Sequence, residues 1–291
     1  LEQKIKTCLS KKEKVMLLIN RRGYAPNISC SKCQQVHTCP SCNLSYTYHK
    51  DRSLRCHRCH TIKPMTHTCQ KCKKNTLQFS GMGTQKVETE LKKQFPDATI
   101  YRLDRDAGKT ADKTEDILKQ FKSDGDILVG TQMIAKGHHI EEVTLVGVLH
   151  SDSTLNLPDF RSPERTFQLI TQVSGRAGRG AKKGKVVIQT FQPDHYAIQH
   201  ASTHDYLSFY EEEITYRKQL WYPAFSQLII IICSAKQDHL AKKAAQNLYQ
   251  YIETNKDPQI KCQCIGPKPA PIEKVQNYYR WNILIKTDNE A

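Results

Sequence analysis

Short apolar runs alternate with segments of helical periodicity over most of the chain. An unbroken apolar run of strand length indicates a buried strand, and apolar residues spaced three to four apart indicate an amphipathic helix. The predicted strands cover residues 15–20, 99–103, 126–130, 144–149 and 185–190. The predicted helices cover residues 86–95, 114–121 and 164–173. Strands that alternate with helices predict an α/β domain with a parallel sheet between layers of helices.

The pattern changes after Gln192 and Pro193. The next predicted elements are a helix at 204–219, a strand at 227–233, a helix at 239–252 and strands at 260–265 and 280–286. This order predicts a small α+β domain that stops short of completion. We therefore divide the chain into the start of the α/β domain at 1–22, an insertion at 23–80, the remainder of the α/β domain at 81–193, a helical connector at 194–220 and a partial α+β domain at 221–291.

Positive charge is concentrated in the first 80 residues. The chain has 44 Lys and Arg against 29 Asp and Glu, a net charge of +15, and residues 1–80 hold 16 basic and 3 acidic side chains, a net charge of +13. Such a segment favours a polyanionic partner, most often nucleic acid, although a solvated basic surface is the alternative. No apolar run approaches the roughly 18–20 residues that cross a bilayer. The polar residues 1–10 argue against a signal peptide, so we expect a cytoplasmic protein.

The same segment contains four C-x-x-C pairs, and each pair can supply half of a tetrahedral thiolate site. The pairs are Cys30 with Cys33, Cys39 with Cys42, Cys56 with Cys59 and Cys69 with Cys72. They predict two closed Cys₄ sites, each holding a structural zinc ion. A disulfide framework is the rival interpretation, but it needs an oxidising compartment, which nothing in the sequence indicates.

The spacing of the pairs leaves their partners open. Five residues separate the first two pairs, thirteen separate the second from the third, and nine separate the third from the fourth. A zinc ribbon commonly has about 12–20 residues between its pairs, which favours the second pair with the third and hence the first with the fourth. A cross-braced pairing, first with third, remains possible.

Other side chains of this segment have two interpretations each. Tyr46 and Tyr48 lie among basic residues, where they either stack on bases or pack one face of a hairpin. The histidines are interpreted as exposed polar residues rather than ligands; they are His37, His49, His57, His60 and His67.

The run QVSGRAGRG at 172–180 is the most informative stretch outside the cysteines. Arg176 and Arg179 are three residues apart, so a helical turn would point both guanidinium groups to one side. Paired arginines suit the γ-phosphate of a nucleotide, and the glycines allow a close backbone approach. A glycine-rich loop with incidental arginines is the alternative.

Two further stretches could contact phosphates. GTQMIAKGHH at 130–139 follows a buried strand, where parallel sheets bind ligands, and it offers Thr131, Gln132 and Lys136 as donors. GMGT at 81–84 precedes a helix and offers a similar backbone cradle, ending at Thr84. The chain has no G-x-x-x-x-G-K-[ST] phosphate loop, so it carries only half of a nucleotide site.

Taken together, these motifs resemble the PriA family of bacterial primosomal replication-restart helicases, the primosomal N′ proteins. Besides the four cysteine pairs, the matching stretches are NRRGYAP at 20–26, GMGTQ at 81–85, YRLDRD at 101–106, DILVGTQMIAKGHH at 126–139, VTLVGVL at 143–149, DFRSPERTFQLITQVSGRAGR at 159–179, GPKPAPIEK at 266–274 and YRWNILI at 279–285. The resemblance covers nearly the whole chain. We therefore expect the C-terminal part of a longer protein.

The resemblance implies a RecA-like second lobe of a superfamily 2 helicase, with an inserted two-zinc module and an incomplete α+β C-terminal domain. It implies that the two zinc sites are nested, with the first cysteine pair joined to the fourth and the second pair joined to the third. It also implies arginine fingers at Arg176 and Arg179. Further implied nucleotide contacts are Gly175, Gly178, Gln172 and Asp152, and implied DNA contacts are Thr84, Thr131, Gln132 and Lys136. His150 departs from the family, which usually has Asp there.

The implied function is that of an ATP-dependent 3′-to-5′ DNA helicase, which binds stalled forks and starts primosome assembly for replication restart. ATP and Mg²⁺ would be held mainly by a first lobe, so this chain alone is expected to be inactive. The implied partners are single-stranded and forked DNA, single-strand binding protein, PriB and other primosome proteins. The alternative is a non-enzymatic zinc-ribbon module that binds nucleic acid or assembles proteins.

Overall fold

A computed structural model describes residues 1–19, 27–40, 45–48, 53–56, 61–80, 84–104, 108, 110–134, 140, 142–178 and 184–288. These residues form two compact units, Leu1–Phe209 and Tyr210–Ala291. The division of the chain into five segments by sequence stays a prediction.

The helices are α1 (Glu2–Ser10), α2 (Thr84–Gln94), α3 (Ala111–Asp124), α4 (Asp152–Leu155), α5 (Ser162–Ser174), α6 (Tyr196–Ser202), α7 (Tyr206–Gln219) and α8 (Asp238–Asn255). The strands are β1 (Lys14–Ile19), β2 (Asn27–Cys30), β3 (Thr47–Tyr48), β4 (Ser53–Arg55), β5 (Ile62–Pro64), β6 (Leu77–Ser80), β7 (Ile100–Leu103), β8 (Ile127–Gly130), β9 (Val143–Leu149), β10 (Lys185–Ile188), β11 (Gln227–Ala235), β12 (Cys262–Val275) and β13 (Tyr278–Thr287). In the part of the chain that the structure describes, no helix is long and apolar enough to span a bilayer.

The first unit is built on a parallel sheet with the strand order β10-β9-β1-β8-β7. All neighbouring strands in it run parallel. Strands β8 and β9 are buried along their whole length, because helices cover both faces of the sheet. Helices α3 and α5 pack on the face that contains Met16 and Leu18, and α1 and α2 pack on the face that contains Val15 and Leu17. The predicted α/β class is confirmed.

Three helices of the first unit were not expected from the sequence. Helix α1 buries only Ile5 and Cys8, so its apolar stripe is too narrow to stand out in a polar segment. Helix α4 is a single turn, and α6 is short. Helix α6 packs against α5 through Ala197 and Ile198, so this part of the predicted connector contributes to the core of the first unit.

The insertion between β1 and α2 contains a second, antiparallel sheet with the order β5-β4-β3-β2-β6. Strands β2 and β6 pair from Asn27 with Ser80 to Cys30 with Leu77, so the two ends of the insertion lie side by side. We call residues 27–80 the cysteine module. Its described strands are two to four residues long, too short for a periodicity that a sequence pattern could reveal.

The second unit is an antiparallel sheet with the order β11-β13-β12, packed against α8. The predicted β-α-β-β order is confirmed. The predicted end of the strand at residue 265 is wrong, because β12 continues to Val275. As the edge strand it tolerates prolines, and its pairing shifts register between Ile265 and Lys268. Gly266 has a φ of +133° at this shift, and a Cβ there would lie 2.9 Å from the carbonyl oxygen of Asn282.

Candidate metal centre and nucleotide-facing edge

Four cysteine sulfurs converge where the first C-x-x-C pair meets the fourth. The Sγ atoms of Cys30, Cys33, Cys69 and Cys72 lie within 4.8 Å of one another. Cys30 and Cys72 are 3.6 Å apart, and Cys33 and Cys69 are 3.5 Å apart. Tetrahedral zinc with Zn–S bonds of about 2.3 Å places sulfurs roughly 3.8 Å apart. The cluster could therefore hold a metal ion, and it joins the first pair to the fourth, as nested pairing requires.

The two halves of this cluster have the same backbone turn. The amide of Gln34 donates to the carbonyl of Cys30 at 2.9 Å, and the amide of Lys73 donates to that of Cys69 at 2.9 Å. Gln34 and Lys73 both have a left-handed conformation, with φ of +57° and +58°. The pairing of β2 with β6 brings the two turns together. Each turn thus presents two sulfurs to a common centre.

Hydrogen bonds prepare one thiol of the cluster for ionisation. The amide of Cys33 and the hydroxyl of Thr76, 2.9 Å from Cys30 Sγ, lower the pKa of Cys30 to about 6. At Cys33 the Gln35 amide favours the thiolate, but burial and the neighbouring cysteine side chains raise its pKa to about 11. Four crowded sulfurs cannot all ionise without a cation among them, so the donor set fits a divalent metal.

The second predicted set is only partly described. Cys39 and Cys56 are buried at 0% and 1% exposure, whereas Cys42 and Cys59 lie outside the described residues. The third pair nevertheless begins like the first and fourth, since in each case the amide of the leading cysteine donates to the carbonyl five residues later. These bonds are Cys30 to Gln35, Cys56 to Thr61 and Cys69 to Lys74, at 2.9, 2.9 and 2.8 Å. The second metal site stays a prediction that this repeated turn supports.

Tyr46 and His37 pack inside the cysteine module. Tyr46 is 2% exposed, its ring centroid is 5.8 Å from that of His37, and Lys63 Nζ lies 4.3 Å from the Tyr46 centroid. Packing is therefore the correct interpretation of Tyr46, and the expectation that His37 is exposed is wrong. Burial and Lys63 lower the pKa of His37 to about 4, so the ring is neutral at pH 7. His67 is exposed, as expected. The side chain of Tyr48, and His49, His57 and His60, lie outside what is described.

The carboxyl-terminal edge of the parallel sheet carries several of the predicted contacts. Thr131 and Gln132 follow β8 directly and are half-buried, and the Thr131 amide donates to the Leu103 carbonyl at 3.2 Å. His150 follows β9 with a φ of +51°. Lys136 lies outside the described residues. The structure thus brings Thr131, Gln132 and His150 to the same edge of the sheet, where parallel sheets bind ligands.

Thr84 and Asp152 are also predicted contacts, and both are buried. Thr84 is 1% exposed, and its hydroxyl donates to Asp104 Oδ2 at 2.6 Å. Asp152 is 2% exposed and accepts from the Thr190 hydroxyl at 2.8 Å and the Phe191 amide at 3.1 Å. In this conformation both side chains hold neighbouring segments of the first unit in place. Their contacts with DNA and nucleotide stay predictions.

Asn156, which follows α4, connects the cysteine module to the parallel-sheet domain. Its Oδ1 accepts from the Ser45 amide at 3.0 Å and from Gln192 Nε2 at 3.1 Å. Gln192 Nε2 is also 3.5 Å from Asp152 Oδ1. Sequence reasoning missed Asn156, because no spacing or motif marks a buried amide that joins segments more than 100 residues apart.

Arg176 lies just beyond the end of α5. The helix ends at Ser174, and the Arg176 amide donates to the Val173 carbonyl at 2.9 Å in a tighter turn. Arg176 is half-buried, and Arg179 lies outside the described residues. The helical turn expected to carry both arginines does not continue α5, so the shared direction of their side chains stays a prediction.

The other residues of this run surround Arg176. Gln172 is exposed on the last turn of α5, and Gly175 caps the helix. Gly178 has a φ of +68°, and its amide donates to the Val143 carbonyl at 3.0 Å, which ties the run to the start of β9. A Cβ on Gly184 would lie 2.4 Å from the backbone nitrogen of Gly178. The backbone at these two residues therefore approaches too closely for a side chain at residue 184.

Two family models match separate parts of the chain. The one described as "Helicase conserved C-terminal domain" matches residues 52–181, which include β7, β8, β9 and the run around Arg176. The one described as "Primosomal protein N C-terminal domain" matches residues 218–291, most of the second unit.

Curated relatives named "Replication restart protein PriA" match along nearly the whole chain. The Bacillus subtilis protein is 42% identical over 293 residues, covering 100% of this chain and 36% of its own length. The Chlamydia trachomatis protein is 44% identical, with 95% and 37% covered, and the Haemophilus influenzae protein is 37% identical, with 98% and 39% covered. The chain therefore spans somewhat over a third of the length of these relatives.

Proposed function

Since the chain belongs to the PriA family of replication restart proteins, we propose that it supplies the second motor lobe, the zinc module and the C-terminal domain of an ATP-dependent 3′-to-5′ DNA helicase. In this proposal the complete protein binds stalled replication forks and initiates primosome assembly. The observation that carries the proposal is the helicase family match over residues 52–181, which include the parallel strands β7, β8 and β9 as well as Thr131, Gln132 and Arg176.

In the proposed reaction Arg176 and Arg179 complete a nucleotide site whose phosphate loop lies in the first lobe. Their guanidinium groups would stabilise the charge that develops on the transferred phosphoryl group, while the first lobe holds ATP and Mg²⁺. The tight backbone of Gly175 and Gly178 fits a close approach of the nucleotide, and Gln172 is exposed beside them. Asp152 would act by holding the segment after β10, since its oxygens are engaged within the chain.

DNA would run along the carboxyl-terminal edge of the sheet. Thr131, Gln132 and Lys136 follow β8 and would donate to phosphate oxygens, which position a strand without reading its sequence. Thr84 would hold the start of α2 against Asp104 on the same side. Movement of the two lobes on nucleotide turnover would shift these contacts along the strand.

Two zinc ions are proposed for the cysteine module, one at Cys30, Cys33, Cys69 and Cys72 and one at Cys39, Cys42, Cys56 and Cys59. Four sulfurs leave no open coordination position, so both ions would be structural. The basic charge of the module suits single-stranded and forked DNA. Single-strand binding protein, PriB and other primosome proteins are the proposed protein partners of the complete assembly.

ATP hydrolysis tests the helicase proposal. The purified 291-residue chain should show no DNA-stimulated ATPase activity, because the phosphate loop is absent from it. In the full-length protein that contains this chain, Arg176→Ala should lower kcat on the order of 10³-fold, the usual effect of losing an arginine finger. Arg176→Lys keeps the positive charge but loses the planar, forked guanidinium group, so it should restore only a small part of the kcat that Arg176→Ala loses. DNA-stimulated hydrolysis by the 291-residue chain would refute the proposal.

The salt dependence of binding distinguishes a DNA-binding module from a protein-assembly module. If the basic cysteine module binds phosphates, the logarithm of the affinity of the chain for single-stranded DNA should fall steeply and linearly with the logarithm of the salt concentration. Weak DNA binding that is insensitive to salt, with tighter binding to an acidic peptide, would favour the assembly module instead.

A further inference from the structure

A cavity of about 260 Å³ lies in the cysteine module. Residues 35–38 and 69–71 line it from two segments distant in sequence, and Leu77 of β6 lines it as well. One of the lining residues, Cys69, belongs to the four-sulfur cluster, so the cavity lies beside that cluster. Pockets for drug-sized ligands usually have volumes of roughly 300–1,000 Å³. This cavity therefore has room for one planar ring and its substituents, and not for a whole nucleotide.

The walls of the cavity combine apolar side chains with polar edges. The buried lining residues include Val36 and Leu77, whereas Gln35 is half-buried and Gln70 and Lys71 are exposed. Apolar side chains suit the face of a ring, and side-chain amides suit its edges, because each amide offers both donors and an acceptor. The lining is therefore typical of a site for a flat ring with hydrogen-bonding edges.

Polar groups of this lining have capacity for a ligand. His37 is 4% exposed, and its buried Nε2 has no hydrogen-bond partner among the described residues. Gln35 Nε2 donates to the Val36 carbonyl at 3.2 Å, so the Gln35 side chain keeps its oxygen as an acceptor. Lys71 forms no ion pair within the part of the chain that the structure describes. Buried polar groups are almost always hydrogen-bonded, so the His37 nitrogen indicates a wall where a ligand can supply the missing bond.

The charge of the cysteine module favours an anionic ligand. Residues 27–80 contain nine Lys and Arg side chains and one acidic side chain, Asp51. Single-stranded nucleic acid joins planar bases with hydrogen-bonding edges to a chain of phosphates. A phenylalanine ring of an acidic peptide would fit the volume of the cavity, but it would leave the polar lining groups unpaired. The combination of ring-sized volume, polar edges and positive charge therefore favours a nucleobase.

We propose that the cavity receives one unstacked base of single-stranded DNA and that Lys71 binds an adjoining phosphate. The edge of the base would pair with Gln35, Gln70 and His37, and the apolar lining would contact its face. Insertion of this kind requires a single strand, because a base in a duplex is stacked and paired. The contact rests on the proposed function, in which the complete protein binds single-stranded and forked DNA.

Binding of two oligonucleotides by the full 291-residue chain, loaded with Zn²⁺, tests the base contact. One is a fluorescently labelled, single-stranded oligodeoxyadenylate, and the other has the same backbone with abasic sites in place of its bases. Gln70→Ala should weaken binding of the first about two- to tenfold, the effect of one lost hydrogen bond, and leave binding of the second unchanged. Thr38→Val, which removes a hydroxyl from the other lining segment, should show the same base-dependent loss. Fluorescence anisotropy measures the affinities, and circular dichroism establishes that each variant is folded.

Salt titration tests the phosphate contact. Lys71→Met should weaken binding of both oligonucleotides and reduce the slope of log affinity against log salt concentration by about one, because one phosphate contact is lost. The first cysteine turn supplies a matched control, since Lys32 stands before Cys33 as Lys71 stands before Cys72. Lys32 does not line the cavity, so Lys32→Met should leave the slope nearly unchanged.

Failure of the base contact differs from failure of DNA binding. If the unchanged chain binds both oligonucleotides and Gln70→Ala and Thr38→Val affect neither, or affect both equally, the base contact is wrong and DNA binding stands. Equal slopes for Lys71→Met and Lys32→Met would overturn the phosphate contact. If the unchanged chain binds neither oligonucleotide, the base contact and the proposed binding of DNA by this chain both fail. Weaker binding of a phenylalanine-containing acidic peptide to Gln70→Ala, with the oligonucleotides unaffected, would assign the cavity to a protein partner instead.

Discussion

At the scale of single residues, the hydroxyl group of Thr76 beside the four-cysteine cluster has an effect on Cys30 that can be measured. Thr76 Oγ1 is 2.9 Å from Cys30 Sγ and stabilises the thiolate together with the Cys33 amide. Because metal binding requires deprotonated sulfur, a thiol that ionises near pH 6 would offer a metal ion its first ligand at neutral pH.

Thr76→Val should therefore raise the pKa of Cys30 from about 6 toward its ordinary value of 9.0. The pH dependence of alkylation at Cys30 in the metal-free chain measures this. The lowered pKa stabilises the folded, metal-free chain fully above pH 9.0, and this contribution is lost as the pH falls through about 6. Thr68→Val, which changes an exposed threonine of the same module, should leave the profile unchanged. An alkylation midpoint near 9.0 in the unchanged chain would contradict the assignment.

The buried bond between Thr84 and Asp104 gives a second prediction at this scale. Thr84→Val keeps the shape of the side chain but removes the donor 2.6 Å from a carboxylate that is 1% exposed. The free energy of unfolding should fall by about 1–3 kcal/mol, the cost of depriving a buried charged group of a hydrogen bond. Denaturant unfolding measures it, and Thr84→Ser, which keeps the hydroxyl, should lose clearly less. Equal stability of the two variants would show that the bond contributes nothing.

At the scale of elements, the sequence predicted what depends on local pattern. Strands β8 and β9 are fully buried apolar runs, and α3 and α5 have clear apolar stripes, so all four were placed within a few residues. Strand β12 was predicted only as far as Ile265, whereas it continues through the prolines to Val275, because an edge position tolerates them. That position depends on strand order, which no local pattern contains.

The candidate site likewise combines features that a local sequence pattern predicts with features that depend on distant segments. The cysteine spacing marked the candidate metal ligands, and the structure joins the first pair to the fourth. The buried states of Thr84 and Asp152 could not be foreseen, because burial is decided by segments distant in sequence. Asn156 was missed for the same reason.

Asn156→Ala should loosen the junction between the cysteine module and the parallel-sheet domain. Without Oδ1, the buried amide of Ser45 and the side chain of Gln192 each lose an acceptor, at a cost of about 1–3 kcal/mol for a buried donor left unpaired. Hydrogen exchange should then accelerate at the Ser45 amide. Asn156→Asp keeps an acceptor at the same place and should preserve protection. Unchanged exchange in Asn156→Ala would show that the junction is held by other contacts.

At the scale of the whole molecule, the two units can be observed separately. The chain has two tryptophans, Trp221 and Trp281, and both belong to the unit Tyr210–Ala291. Trp281 Nε1 donates to Asp238 at 3.0 Å, so its environment reports on the packing of α8 against the sheet.

Removal of zinc should therefore affect the two units unequally. Because the binding energy of a structural metal is part of the folding energy, a chelator should reduce the far-ultraviolet circular dichroism signal through loss of the cysteine module. The tryptophan emission maximum should stay unchanged until denaturant is added. Simultaneous changes in both signals would show that the units do not unfold independently.

The pairing of β2 with β6 has a consequence for how such a module could be acquired. Closing a flexible loop costs conformational entropy that grows with its length. Since Asn27 and Ser80 are neighbours in the antiparallel ladder, the cysteine module closes its own ends. An insertion of more than fifty residues therefore adds about as much loop-closure entropy cost to the parallel-sheet domain as a short connection between β1 and α2 would. A module of this kind can be gained, lost or exchanged while the folding of its host stays nearly unaltered.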